Sequence, residues 1–235
     1  MAAQKKSRKE LLKKPDEFIT ITGKLIRLAT DYQKQISYIL CAIVAVGLVF
    51  MGYRFFAQRS EAKAFSMLEK TMAQYEAGKT ATSPEEAYRK VSTEFQRIVE
   101  KYKGNAAGKL ARVSYANISY SAGEYQKAVE LYKPALNDFK DHPLVYQLIL
   151  NGLGYAYQKL GDNRTAVTYF EKVASITDSS IRDEVLFNLG LLYEKLGDRE
   201  RSERAFQQIL SNYPNSMYFD IVKEKLLGKD LASSS

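Results

Sequence analysis

The sequence feature that most constrains the fold is an uncharged stretch near the N-terminus. Residues 36–53 contain no Asp, Glu, Lys or Arg, and the nearest charged side chains are Lys34 and Arg54. A helix of this length reaches about 27 Å, close to the roughly 30 Å hydrocarbon core of a bilayer. A buried core helix would need apolar neighbours all round, whereas both flanking segments are polar and charged. The stretch therefore predicts a transmembrane helix, which Phe55 and Phe56 extend to residues 36–56.

The basic character of the chain is confined to its N-terminal end. The net charge is +8, but residues 1–56 carry ten Lys or Arg against four Asp or Glu, and residues 57–235 carry twenty-five against twenty-three. The folded domain is thus nearly neutral, which argues against a nucleic-acid partner. Six basic residues lie between Lys5 and Lys14. Beside a membrane such a run favours anionic lipid headgroups.

The N-terminal segment predicts the orientation of the anchor. Nine Lys and Arg residues precede it, which favours a cytoplasmic N-terminus, although the basic residues closest to the two ends of the apolar stretch are nearly balanced. Within residues 16–35 apolar residues recur three and four apart, the pattern of an amphipathic helix that lies on the membrane, pairs with a partner helix or extends the anchor. A cleaved signal peptide is not indicated, because the basic segment and the apolar stretch are both too long.

After Ser60 the sequence repeats itself. Large aromatic residues at Phe95, Tyr132, Phe170 and Phe206 are spaced 37, 38 and 36 residues apart. A small residue stands four positions before the last three: Ala128, Ala166 and Ser202. The tetrapeptide Lys-Leu-Gly-Asp at 159–162 recurs at 195–198. Periods of this length, with a glycine turn between two helices, indicate a helical solenoid.

The repeats resemble the tetratricopeptide repeat family. The residues of the third and fourth units that fall on its pattern are Leu153, Gly154, Tyr157, Gly161, Ala166, Phe170, Leu189, Gly190, Tyr193, Gly197, Phe206 and Pro214. The family's first-helix tryptophan is missing, and the first unit is poorer, with a loop expected from Gly78 to Pro84. The predicted fold is all-α, with one transmembrane helix followed by a tetratricopeptide-type solenoid of about four helix pairs and a capping helix.

The sequence divides into four parts on this interpretation. Residues 1–35 form a basic, partly amphipathic cytoplasmic tail, and residues 36–56 form the anchor. Residues 57–230 form the repeat domain, with helix pairs at about 60–103, 106–140, 143–177 and 180–213 and a closing helix from about 216 to 228. Residues 231–235 form a disordered tail. Since one repeat cannot bury its own apolar face, stability must come from stacking of neighbours.

The sequence offers little for catalysis. His142 is the one histidine and lies beside Pro143 in an expected inter-repeat loop, and Cys41 is the one cysteine and lies inside the apolar stretch. These residues supply neither a zinc site nor a thiol nucleophile, and no phosphate-binding glycine loop is present. We therefore predict no enzyme, no metal and no cofactor.

The resemblance to tetratricopeptide repeats implies a protein-binding groove lined by the first helices of successive pairs. The matching residues are Asn117, Tyr120, Asn151, Tyr155, Gln158, Glu184, Phe187, Leu191 and Glu194. Asparagine can hydrogen-bond an extended peptide backbone, and exposed aromatic rings supply apolar contact area. The alternative is that Phe187 and Leu191 belong to the inter-helix core and the polar members are only solvated.

The whole layout resembles the bacterial family of ancillary SecYEG translocon subunits. That resemblance implies a single-pass inner-membrane protein with a cytoplasmic N-terminus and a periplasmic repeat domain. Its partners would be translocon subunits, chaperones or extended client segments, and it would assist translocation or hand-over of clients. Two alternatives remain open: a structural or oligomerisation module of a cell-envelope complex, and an organelle import receptor with a cytosolic repeat domain.

Overall fold

A computed structural model describes residues 23–24, 26–28, 30–176 and 179–233, with side chains described as far as Leu227. The predicted basic run at residues 5–14 lies outside the described residues, as do residues 16–22, 25 and 29 of the amphipathic segment and residues 234–235. Within the described part the chain forms helices and turns, with no strand.

The helices are numbered from Gln33. They are α1 (Gln33–Ala81), α2 (Pro84–Lys101), α3 (Ala106–Ser121), α4 (Tyr125–Asp138), α5 (Pro143–Lys159), α6 (Asn163–Ala174), α7 (Arg182–Lys195), α8 (Arg199–Asn212) and α9 (Phe219–Ser233). The chain divides into two compact units, Met1–Arg59 and Ser60–Ser235. The described tail residues 231–233, which we expected to be disordered, belong to α9.

The described part of the first unit is dominated by the apolar half of α1. Its large apolar side chains between Ile36 and Phe56 are exposed rather than packed on other helices. By length and composition, α1 is the one helix in the described part of the chain that could cross a membrane. The predicted transmembrane stretch therefore forms a helix whose apolar surface the described part of the chain leaves exposed.

The second unit is a solenoid of helix pairs. Helix α3 packs on α4, α5 on α6 and α7 on α8, and each of these pairs contacts the next through its neighbouring helices. In the first pair the end of α1 lies beside the start of α2, where an added Cβ on Gly78 would stand 3.1 Å from the Ala87 Cβ. The predicted all-α solenoid of four pairs followed by a closing helix is confirmed.

The expected loop from Gly78 to Pro84 is wrong for most of its length. Helix α1 continues through Ala81, so that only Thr82 and Ser83 connect it to α2. Gly78 lies inside the helix and does not end it. Its missing side chain allows Ala87 of α2 to approach closely. The boundary comes instead from Ser83, whose hydroxyl accepts a hydrogen bond from the Glu86 N–H at 3.3 Å, followed by Pro84 at the first helical position.

The turns inside the later pairs share one backbone conformation. Gly123, Gly161 and Gly197 have φ values of +81°, +82° and +81°. This left-handed region is unfavourable for residues with a Cβ atom. Asp162 and Asp198 follow the second and third of these glycines, and their carboxylates cap α6 and α8 by accepting backbone N–H hydrogen bonds. The repeated Gly-Asp of the sequence is thus a turn followed by a helix cap.

The periodic aromatic residues form the core between the helices of a pair. Phe95, Phe170 and Phe206 are fully buried. A Cβ added to Gly154 would come within 2.6 Å of the Phe170 ring, and one added to Gly190 would come within 2.3 Å of the Phe206 ring. Each of these first-helix glycines therefore supplies the space that its partner ring fills.

The N-terminus of α3 is capped from a distance. Asn105 precedes the helix but makes no side-chain cap hydrogen bond. Instead, the Glu61 carboxylate on α1 accepts hydrogen bonds from the backbone N–H groups of Ala106 at 3.2 Å and Ala107 at 2.7 Å. A carboxylate at this position satisfies unpaired helix N–H groups and complements the helix dipole. The contact joins the first pair to the second.

Candidate protein-binding face

The predicted groove residues all lie on the first helices of the second, third and fourth pairs. Asn117 and Tyr120 belong to α3, Asn151, Tyr155 and Gln158 to α5, and Glu184, Phe187, Leu191 and Glu194 to α7. Within each helix they are spaced three or four apart, so they follow one side of that helix. We call this set the first-helix face.

The face begins on α3 with a hydrogen-bonded amide and a tyrosine pair. Asn117 is exposed, and its Oδ1 atom accepts a hydrogen bond from the hydroxyl of Tyr132 on α4. The Tyr120 ring lies 5.4 Å from the Tyr125 ring and 6.4 Å from the Tyr155 ring, measured between centroids. The ring contact with Tyr155 makes the α3 and α5 parts of the face continuous.

Tyr155 connects the third pair to the fourth. Its hydroxyl donates a hydrogen bond to a Glu184 carboxylate oxygen and accepts one from Asn188 Nδ2 at 2.7 Å. The ring also packs edge-on against Phe170, with 5.2 Å between centroids. Burial, followed by the hydrogen bond to Glu184, raises the pKa of the Tyr155 phenol above its ordinary value. The ring is thus held in one position, and Glu184 is engaged inside the protein.

The other two α5 residues have fewer contacts. Asn151 is half-buried, and its Oδ1 atom has no hydrogen-bond partner among the described residues. Gln158 is half-exposed one turn beyond Tyr155. The two amides lie on the side of α5 that carries Tyr155.

The α7 part of the face is partly covered by the closing helix. Phe187 stacks on Tyr218, with 4.5 Å between ring centroids, and Leu191 packs in the same apolar cluster around Phe206. The Glu194 carboxylate forms an ion pair with Lys225 of α9 at 2.9 Å. These three predicted residues therefore contact α9 or the cluster beneath it.

Three leucines on α3 and α5 belong to the same face and were missed by the sequence prediction. Leu144 is 72% exposed, Leu148 57% and Leu110 36%. Leu144 and Leu148 continue the spacing of Asn151 and Tyr155 towards the start of α5. Extending the three-and-four spacing two turns back from Asn117 on α3 and from Asn151 on α5 would have found them. They turn the α3–α5 part of the face into an apolar surface.

Charge is distributed unevenly among the first helices. Helix α5 has no Asp, Glu, Lys or Arg from Pro143 to Gln158, whereas α7 has charged residues at both of its ends. The second helix α8 carries ion pairs, of Arg201 with Asp198 and of Arg204 with Glu200.

Burial raises the pKa of both phenols of the face, Tyr120 and Tyr155, above the ordinary value. The face therefore offers neutral aromatic contacts and hydrogen bonds to a partner. Over the described residues no cluster of three His, Cys, Asp or Glu side chains could hold a metal ion.

Comparison with known proteins agrees with the repeat architecture. Residues 149–179 and 184–216 each match a protein-family model described as tetratricopeptide repeat. No curated protein matches the chain.

Three solved structures are similar in fold. BtubC (BKLC) from P. vanneervenii has a TM-score of 0.54 and 17% identity, with 69% of this chain and 68% of that chain covered. A tetratricopeptide repeat protein from Parabacteroides merdae ATCC 43184 has a TM-score of 0.54 and 19% identity, covering 70% of this chain and 61% of that one. A Podosopora anserina putative kinesin light chain with TPR-like repeats, in two crystal structures, has a TM-score of 0.52 and 17% identity, with 67% of this chain and 77–78% of that chain covered.

Identities this low establish the fold and no more. The helix pairs, the glycine turns, the aromatic core and the two matched repeats agree with one another. The second unit is a tetratricopeptide-type solenoid, an architecture that serves as a protein–protein interaction scaffold.

Proposed function

We propose that this chain is a membrane-anchored scaffold whose repeat domain binds other proteins through the first-helix face. In this proposal residues 36–56 cross the bacterial inner membrane, the N-terminus is cytoplasmic and residues 57–230 are periplasmic. The scaffold would meet translocon subunits, chaperones or emerging client segments near the Sec translocon. The observation that carries the proposal is an apolar helix that the described residues leave exposed, followed in the same chain by a solenoid with exposed apolar side chains on its first helices.

The contacts of the face support a role in recognition. Tyr155 is held by two hydrogen bonds and a ring contact, and Asn117 is held by Tyr132. Pre-positioned side chains lose little conformational freedom when a partner binds. The exposed leucines beside them supply the apolar contact area that protein interfaces use.

Membrane topology is tested by protease protection in spheroplasts. If the repeat domain is periplasmic, protease added outside removes it, and the N-terminal tail stays protected. Protection of the repeat domain would overturn the periplasmic location and favour a cytosolic receptor. Release of the full chain by alkaline carbonate washing would overturn the anchor.

Partner binding is tested by photocrosslinking in cells. A photoreactive residue at the exposed Asn117 position should crosslink to another protein, identified by mass spectrometry, whereas one at the exposed Glu200 position on α8 serves as the control. Crosslinks to translocon subunits, chaperones or translocating clients support the proposal. Crosslinks only to a second copy of this chain would favour an oligomerisation module.

A further inference from the structure

The α3–α5 part of the first-helix face combines exposed apolar side chains with an absence of charge. We propose that the strip formed by Leu110, Leu144, Leu148, Asn117 and Tyr155 binds uncharged, apolar polypeptide segments in extended form and rejects charged ones. This inference rests on the proposed function and specifies the ligand class of the same face.

The scarcity of charge around the strip disfavours charged ligands. Helix α5 carries no charged side chain before Lys159. Of the charged groups on neighbouring helices, Arg112 forms an ion pair with Asp138, and Glu184 accepts a hydrogen bond from the Tyr155 hydroxyl. A charged ligand side chain seated on Leu148 would lose hydration, and α5 has no charged side chain before Lys159 to pair with it. Three charged residues lie at the edge of the strip: Lys109 beside Leu110, and the exposed Lys140 and Asp141 just before α5. The acidic and basic peptides below test their influence.

The strip amide Asn117 and the neighbouring Gln158 of the first-helix face suit an extended backbone. Such a segment brings N–H and C=O groups that need partners when they leave water. The hydrogen bond from Tyr132 engages the Asn117 oxygen and leaves its two N–H groups to donate, and Gln158 offers both donors and acceptors. Hydrogen bonds to the backbone do not depend on ligand sequence, so selectivity comes from the leucines and the absence of charge.

The test uses the full chain in lipid nanodiscs and three fluorescent peptides of equal length. One contains Leu, Ala, Ser and Gln only; in the second its central residues are Asp, and in the third they are Lys. Fluorescence anisotropy, with empty nanodiscs as background, should show that the uncharged peptide binds at least about tenfold more tightly than either charged peptide. Equal or tighter binding of a charged peptide would overturn the selectivity.

A matched pair of substitutions locates the binding. Leu148→Asp should weaken binding of the uncharged peptide by about tenfold or more and strengthen binding of the Lys peptide. Leu227→Asp alters a leucine of similar exposure on α9, 55% against 57% for Leu148, and should change the binding of neither peptide. Because both leucines are exposed, neither change removes core packing, and helix content by circular dichroism verifies the fold. Unchanged binding in Leu148→Asp, or an equal loss in Leu227→Asp, would overturn the assignment to this strip.

The outcomes separate the ligand class from the proposed function. If all three peptides bind equally and Leu148→Asp weakens all three, the face binds proteins but the ligand class is wrong. If no peptide binds while photocrosslinks at Asn117 persist in cells, the inference fails and the scaffold function stands. If both are lost, the scaffold function fails as well.

Discussion

The close approach of α7 and α8 makes Gly190→Ala a sharp test of the packing. The new Cβ would lie 2.3 Å from Phe206 Cε1 and 2.5 Å from Cζ, whereas carbon atoms in contact prefer about 3.5–4.0 Å. The ring must therefore shift by about 1 Å, and Phe206 is fully buried. Because the ring has no free space to move into, we expect overpacking to cost about 2–3 kcal/mol, the upper part of its usual range, and the gain in helix propensity from Gly to Ala offsets about 1 kcal/mol. We expect a net loss of about 1–2 kcal/mol in the free energy of unfolding.

The assay is urea unfolding of the full chain in detergent micelles, followed by circular dichroism. Phe206→Leu alone should also destabilise, because it leaves a cavity. The double variant Gly190→Ala, Phe206→Leu should lose at least about 1 kcal/mol less free energy of unfolding than the sum of the two single losses, since the smaller side chain relieves the clash. Additive effects, or a Gly190→Ala variant as stable as the parent, would refute the reasoning.

Four further perturbations have defined outcomes. Glu61→Ala should cost about 1–2 kcal/mol and speed amide hydrogen exchange at the start of α3, with exchange in α8 unchanged; equal exchange at α3 would contradict the distant cap. Tyr155→Phe should cost about 1 kcal/mol by removing the hydrogen bonds to Glu184 and Asn188, and an unchanged urea midpoint would argue against that network. Gly161→Ala should destabilise by about 1 kcal/mol, because its φ of +82° disfavours a Cβ, and a stabilised variant would exclude that turn. Burial and the hydrogen bond to Glu171 raise the pKa of Tyr193 to about 12, so above the ordinary value of about 10 the unfolded chain loses this proton before the folded chain does. The free energy of unfolding should therefore fall between about pH 10 and 12, and it should fall less steeply with pH in Tyr193→Phe. Equal pH dependence of the variant and the parent would contradict the raised pKa of Tyr193.

The sequence predicted the solenoid because its signals are local and repeated. The aromatic residues spaced 36 to 38 apart, the Gly-Asp turns and Pro143 each report a helix pair without knowledge of the distant chain. Gly78 misled the prediction for the opposite reason. Its effect depends on Ala87 across the helix pair, and a sequence window does not reveal whether a glycine ends a helix or admits a neighbour.

The helix that carries each candidate site residue was predictable, but the exposure of the residue was not. The resemblance to tetratricopeptide repeats placed Asn117 and Tyr155 on first helices, and they lie on α3 and α5. The stack of Phe187 on Tyr218 depends on where α9 packs, which the sequence pattern of α7 alone does not indicate. The prediction also included no residue of α5 before Asn151. It therefore missed Leu144 and Leu148, which look like ordinary core leucines in the sequence.

The closing helix has a consequence for the length of the array. Tyr218 and Lys225 meet α7 where the opening helix of another unit would otherwise stack, and Val222 is fully buried there. The segment from Asn212 to Phe219 is therefore a site at which further helix pairs could be inserted. Each inserted pair would lengthen the solenoid by one repeat, and α9 would still cover the apolar surface of the last repeat.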